Sequence, residues 1–268
     1  IALLGTQAFL DTRAVSTSAV SYQWFFEGNA LPGETNDTLT INPARAENEG
    51  TYHVVATSAG GTATSAESEV LVTDKRLINV AARSRVGSGA NVLIAGFVVI
   101  GPEPKQILIR GLGPGLPEGL DRLSNPRLEI YNSSGEMIHF NNSWGENENP
   151  GAITQASLET GAGGGKPLEP GDTALLVELE QGLYTAIVRS EDDTSGIALV
   201  EAFEVGENLT RLVNVSSRAF VGVGDEVVIP GFIVQGDLPT RVLIRAIGPG
   251  LIKQDVAGVL EFPEITVY

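Results

Sequence analysis

Apolar and β-branched residues come in short runs along this chain. Thr38-Leu-Thr-Ile41, Ile107-Leu-Ile109 and Ala174-Leu-Leu-Val177 alternate with turns of Gly, Pro, Asn and Asp, the pattern of strands joined by tight connections. No segment keeps a 3.6-residue period for three turns, so the pattern predicts an all-β chain with helices only as short connectors. The longest apolar stretch, Val92 to Ile100, is broken by Gly96 and bounded by Gly101-Pro102. It reads as a buried strand and falls short of the roughly 18–20 residues that span a bilayer.

An internal repeat organises most of the chain. Residues 76–116 align without gaps with residues 211–251, an offset of 135, and 22 of the 41 positions are identical. Asn79/Asn214, Arg83/Arg218, Gly87/Gly222, Gly96-Phe97/Gly231-Phe232, Arg110/Arg245 and Gly113-Pro-Gly115/Gly248-Pro-Gly250 are among them. After a two-residue shift, Pro126 to Tyr131 matches Pro263 to Tyr268. One complete module is expected over 74–208, and the first half of a second over 209–268.

The remaining segment, 1–73, has a different grammar. Ser21-Tyr-Gln-Trp24 reads as a strand with a bulky aromatic, followed by Gly28-Asn29 and Leu31-Pro-Gly33 turns, a strand at Thr38–Ile41 and the run Asn48-Glu-Gly-Thr-Tyr52-His-Val54. This resembles the immunoglobulin fold of the intermediate-set type. The resemblance places Trp24 as the core tryptophan and Tyr52 at the tyrosine corner, with Val54 where the second cysteine normally stands. Phe9 or Leu10 falls at the first cysteine, so apolar packing replaces the disulfide. Residues 1–5 leave little room for a first strand, and a domain lacking strand A is expected.

The complete module closes with Gly171–Leu179, Gly182–Val188 and Gly196–Phe203, three hairpin-connected strands that look like the closing half of a jelly roll or related sandwich. The fold class expected is therefore an immunoglobulin-like sandwich followed by tandem jelly-roll-like modules. The whole pattern also resembles repeats of very long secreted or surface proteins of Verrucomicrobia-like environmental bacteria, which implies a surface architecture and no particular chemistry.

Composition narrows the function classes. With Lys+Arg 17 against Asp+Glu 33 the net charge is −16, which argues against nucleic acid and anionic membranes, since both need clustered cations. The absence of cysteine removes disulfides, thiolate metal sites and cysteine nucleophiles. His53 and His139 lie in different segments with no second histidine at ligand spacing, and no Gly-x-Ser-x-Gly elbow occurs. Gly161-Ala-Gly-Gly-Gly-Lys166 lacks the first glycine and the Ser/Thr of a phosphate loop. No catalytic or cofactor-binding residue is expected.

Three weaker features remain. Glu191, Asp192 and Asp193 join two predicted strands and could offer oxygens to Ca²⁺, although a solvated loop is the simpler reading. Trp144 stands in a polar loop, where it could stack on a glycan or fold back over a sandwich edge. Arg83 and Arg110, repeated as Arg218 and Arg245, are expected to pair with carboxylates or loop carbonyls and so fix the module's geometry. Five Asn-x-Ser/Thr sequons, at Asn36, Asn132, Asn141, Asn208 and Asn214, matter only in an organism that glycosylates its surface proteins.

The predicted strands at 212–217, 226–234 and 241–247 carry Val, Ile and Phe that need an opposing sheet. Either the chain is a window on a longer one, or a neighbouring copy supplies strands to the open half. The expectation is a non-enzymatic, extracellular structural protein: a surface stalk, adhesin segment or filament subunit that associates with its own copies or with adjacent domains. A carbohydrate-binding accessory region of a larger secreted enzyme is the alternative.

Overall fold

The computed structural model describes residues 2–236, 239 and 241–268. Its first unit contains β1 (Ala2–Leu3), β2 (Ala8–Asp11), β3 (Ser21–Phe26), β4 (Asn29–Ala30), β5 (Thr38–Ile41), β6 (Gly50–Ser58), β7 (Gly61–Thr64), β8 (Ser68–Val70) and β9 (Val72–Thr73). One sheet runs β4-β3-β6-β7, with β8 also on β6, while β2 pairs with β5. Between these layers Trp24, Leu39, Ile41, Tyr52, Val54 and Val70 form a closed core. Leu10 packs against that core, whereas Phe9 is 57% exposed. The expected loss of the first strand needs correction. Ala2–Leu3 pairs in parallel with Val72–Thr73, because even two residues suffice to hydrogen-bond the edge of the last strand.

Residues 76–205 form the module proper. Its strands are β10 (Arg76–Val86), β11 (Leu93–Ile100), β12 (Lys105–Leu112), β13 (Pro126–Tyr131), β14 (Met137–Asn141), β15 (Thr173–Leu179), β16 (Gly182–Ser190) and β17 (Gly196–Val205). They lie in two antiparallel layers, β10-β17-β12-β15 and β11-β16-β13-β14. That order is a jelly roll's. The sandwich core draws Val80, Phe97, Ile107, Ile109, Leu128, Val177, Val188 and Val200 from both layers.

The sequence pattern predicted no helix of this length, yet α1 spans Pro150–Thr160. Its apolar positions are sparse, so periodicity misses it, but its ends are marked. Asn149 accepts a hydrogen bond from the Ala152 N–H, Pro150 occupies the first turn, and Gly161 closes the helix in the left-handed region at φ 66°. Ile153 and Ala156 of α1 cover the outer face of the β12 layer, together with Leu108, Leu112, Ala174 and Phe203. Strand β12 is thus buried on both faces, which explains its continuous apolar run.

Two strands follow, β18 (Arg211–Arg218) and β19 (Ile229–Gln235). The expected strand at 241–247 is absent: that segment is irregular and mostly exposed. Its counterpart β12 is held between β15 and β17, and no described strand stands in those places for the second copy. Without ladder partners an extended segment leaves its amides to solvent and gains nothing from regular pairing.

Candidate functional site: the joint between repeat copies

The second copy does not begin a separate sandwich. Strand β18 adds to the free edge of β11, and β19 adds to the free edge of β10. The first copy's two layers each gain one strand from the second, giving β14-β13-β16-β11-β18 and β15-β12-β17-β10-β19. A single bridge, Leu77 to Leu212, joins β10 to β18. By repeat alignment β18 is a second β10, and β19 is a second β11. Each copy therefore lends its first two strands to the other.

The registers show how strict the reciprocity is. Val80 opposes Phe232, Ala81 opposes Gly231 and Ala82 opposes Pro230. Shifted by the 135-residue offset, these become Val215–Phe97, Ser216–Gly96 and Ser217–Ala95, which are the observed pairs of the other ladder. Both ladders also skip one residue at the same point, beside Leu77/Asn79 in one and beside Val98/Val99 in the other. The connecting loops match too, with Gly87 N–H donating to the Asn91 carbonyl at 2.7 Å and Gly222 N–H to the Glu226 carbonyl at 2.9 Å.

Local chemistry supports the joint. Leu212 is 1% exposed and belongs to the first copy's core. Gly96 meets Ser216 so closely that an added Cβ would lie 2.5 Å from the serine Oγ. Ser84 Oγ donates to the Phe220 carbonyl at 2.7 Å, and Arg85 bridges Glu226 of the second copy at 3.0 Å and Asp121 of the first at 2.9 Å.

A buried charge cluster sits where the two copies and the immunoglobulin-like unit meet. Glu204 on β17 lies 3.6 Å from Arg76 Nε and 3.8 Å from Lys105 Nζ, and it accepts the Leu212 N–H. Lys105 is fully buried and also donates to the Gly206 carbonyl at 2.7 Å. Arg211, the repeat counterpart of Arg76, donates to the Leu4 carbonyl at 3.0 Å and so reaches into the first unit. Burial pushes the Glu204 carboxyl up from its ordinary value, against the pull of the neighbouring N–H and cations. Burial likewise lowers Lys105 and Arg211, with Glu204 opposing. Breaking such a set by removing one partner typically costs about 3–5 kcal/mol, because the others stay buried and unpaired.

A second polar hub lies beneath α1. Arg110, 2% exposed, stands opposite Glu201 across the β12–β17 ladder, with Nε 3.5 Å from Glu201 Oε2. Gly163 in the glycine run covers the guanidinium so closely that a Cβ there would approach it to 2.9 Å. Burial lowers Arg110 and raises Glu201, each opposed by the other's charge. Beside them Asp172, fully buried, accepts the N–H groups of Gly113 and Gly115 at 3.0 Å and of Glu169 at 2.9 Å. These bonds pin the Gly-Pro-Gly turn to the head of β15.

The residues singled out from sequence fall in several places. Trp24 is buried and donates its indole N–H to the Asn36 carbonyl at 2.9 Å, while Val54 packs in the same core. Tyr52 donates its hydroxyl to the Asn48 carbonyl at 2.9 Å, and burial, then Glu27, raises its pKa. Arg83 is half-buried with its Nε unpartnered, whereas Arg218 and Arg245 are exposed. Trp144 is half-buried, packs on the core beneath α1 and donates to the Glu169 carbonyl at 2.9 Å. His53 is half-buried and stacks on Phe25 with ring centroids 4.7 Å apart. In the acidic loop, Asp192 Oδ1 accepts from Ser190 Oγ and from the hydroxyl and N–H of Thr194, and Glu191 bridges Arg127 at 3.3 Å. Asp193 sits in the left-handed region at φ 59°. Among the described residues no three His, Asp or Glu side chains come together at ligand range. No described helix is long and apolar enough to cross a membrane.

Sequence reading missed Lys105, Asp172, Glu201, Glu204 and Arg211. Arg211 carried a signal, its identity with Arg76. The other four gave none, since Lys105 aligns with Thr240 and the acids stand in a part of the module that occurs once.

No protein-family model matches the chain, and no curated protein matches it. Among solved structures it is similar to the N-terminal four Ig domains of Dscam1 isoform 6.9, at 16% identity and a TM-score of 0.24, over 73% of this chain and 40% of that one. It is similar to titin domains z1z2, solved in complex with telethonin, at 19% identity and a TM-score of 0.24, over 77% and 91%. The SGBP-B protein of the Bacteroides ovatus mixed-linkage glucan utilization locus, in complex with a mixed-linkage heptasaccharide, follows at 8% identity and a TM-score of 0.19, over 75% and 49%. The chain thus spans 40% of the length of the first of these. The immunoglobulin-like, all-β architecture rests on the chain's own strands and core.

Proposed function

We propose that this is a non-enzymatic, extracellular structural protein, a segment of a surface stalk, adhesin or filament whose task is to hold β-sandwich units in a fixed relation. The observation that carries this reading is the reciprocal strand exchange between repeat copies. Separate domains on a linker need only a few contacts at their boundary. Here two antiparallel ladders of seven register pairs each cross the joint, and turning one copy against the other would break both. The Glu204 cluster ties the immunoglobulin-like unit into the same joint through Arg211 and Leu4. The net charge of −16 favours solubility of an extended assembly.

The symmetry of the joint shapes how an array would be built. Each copy gives and receives the same two strands, so the contact is isologous and uses up the β10 and β11 edges of both. Copies join in twos through it, and longer assembly proceeds through other surfaces. The test is immunogold labelling of intact cells of the source organism, with negative-stain microscopy of the native material. Surface label and particles of constant inter-unit angle are expected. Label seen only after permeabilisation, or turnover of polysaccharide by the purified chain, overturns the reading.

A further inference from the structure

The second copy presents half of a core, uncovered. Phe232, Val234, Val242, Ile244, Ile265 and Val267 align with Phe97, Val99, Ile107, Ile109, Leu128 and Ile130 of the first copy. The first-copy residues are at most 2% exposed, whereas their counterparts are 39–68% exposed. In the first copy they share one closed core, drawn from both layers, with residues of β15, β16 and β17. Polar groups on the second copy are set out to match. Arg245 aligns with Arg110, the partner of Glu201, and is exposed. Gly248 and Gly250 align with Gly113 and Gly115, whose N–H groups hold Asp172.

The polar end of this half-core is already shaped. A Cβ on Gly113 would lie 2.0 Å from the Leu123 carbonyl, and one on Gly248 would lie 1.9 Å from the Leu260 carbonyl. The same close approach, possible only for glycine, is therefore kept in the second copy, and Gly248 is buried. The turn that binds an aspartate in the first copy stands preformed in the second.

We infer that the half-core built by residues 229–236 and 241–268 docks the closing half of a further copy of this module, an aspartate at the head of its first strand meeting the Gly248–Gly250 turn and a glutamate in its third strand meeting Arg245. The inference rests on the reading of the chain as a structural segment whose paired modules assemble further through other surfaces. Occupancy would also convert 241–247 into a strand, because it would then lie between two partners as β12 does. An apolar groove for a small ligand would not need both an arginine and a glycine turn of the kind that holds a carboxylate in the first copy. Complementation by module strands is a known mode of β-augmentation, in which backbone pairing supplies affinity and side-chain pockets supply register.

The test extends the full chain after Tyr268 with a second copy of residues 132–208, the part of the module that follows Tyr131. Amide exchange of residues 241–247 and binding of the dye ANS are compared with the unextended chain. Slowing of those amides by 100-fold or more, with loss of most ANS fluorescence, is expected. Exchange unchanged and ANS still bound overturns the inference. As a second measurement, the segment 166–208 is added as a labelled peptide to the full chain and followed by anisotropy. Saturable binding that weakens at least tenfold with Arg245→Ala, or with Asp172→Ala and Glu201→Ala in the peptide, supports docking. Binding that ignores all three substitutions, or no binding in either format, overturns it. Surface label on cells with failed docking removes this inference alone, and docking without surface label removes the structural reading alone.

Discussion

Leu212→Ala probes the strand exchange directly. Leu212 belongs by sequence to the second copy, but its side chain is 1% exposed within the core of the first. Truncation removes three buried carbons, roughly 2.4 kcal/mol at about 0.8 kcal/mol for each. The cavity left behind adds to this, and buried Leu→Ala changes span about 2–5 kcal/mol. A loss near 3 kcal/mol is expected, which for a cooperative unit of this size lowers Tm by roughly 6–12 °C. Differential scanning calorimetry resolves it, with the immunoglobulin-like unit as internal standard, since its core of Trp24, Tyr52 and Val54 does not include Leu212. Leu243→Ala is the matched control, because Leu243 is 82% exposed and its truncation should stay within about 0.5 kcal/mol. If Leu212→Ala moves the module's transition no more than Leu243→Ala does, β18 is not seated in the first copy and the exchange is refuted.

Cysteine pairs give an independent reading, since the chain has no cysteine of its own. Val98→Cys with Asn214→Cys, register partners across the β11–β18 ladder, should oxidise to a disulfide, whereas Asn79→Cys with Val98→Cys should not. Asn79 and Val98 lie in opposite layers, and stacked sheets stand about 10 Å apart, beyond the roughly 7 Å reach of a disulfide. Mass spectrometry of the non-reduced digest decides between them, and the reverse outcome would mean that each copy keeps its own hairpin. Stability against pH should carry the mark of Glu201. Its pKa is raised from 4.5 by burial, so the native state holds its proton more tightly than the unfolded chain does. The group's contribution is full below 4.5 and is lost as pH rises through the native-state value. Urea titrations at several pH values should therefore show Glu201→Gln gaining on the parent chain as pH increases above 4.5; a difference that is flat with pH, or that grows on acidification, contradicts the assignment.

Much of the architecture is legible in the sequence. Strand runs and turns mark an all-β chain, the spacing of Trp24, Tyr52 and Val54 marks the first core, and the 135-residue offset marks the repeat. These signals are local or repeat themselves, so they survive without coordinates. α1 was less legible, since its evidence lay in Asn149, Pro150 and Gly161 at its ends rather than in periodicity. The ion pairs around Glu204 were not legible at all. Glu204 and Lys105 stand on different strands and meet Arg76 and Arg211 only after both layers and both copies have assembled.

Which strand pairs with which was decided only by the tertiary structure. Strands β10 and β18 share Arg, Leu, Asn, Val and Arg at matching positions, and β11 and β19 share Ile, Gly, Phe and Val. Either member of one pair offers nearly the same side chains and the same backbone edge to either member of the other. Hydrogen bonds along a ladder carry no label of the copy they come from, and register follows only the alternation of inward and outward residues. The choice between a hairpin within each copy and an exchange between copies therefore rests on what the rest of the chain can bring together. In this protein the Leu212 site in the core, the Gly96–Ser216 fit and the charge cluster at Glu204 all come together in the exchanged arrangement.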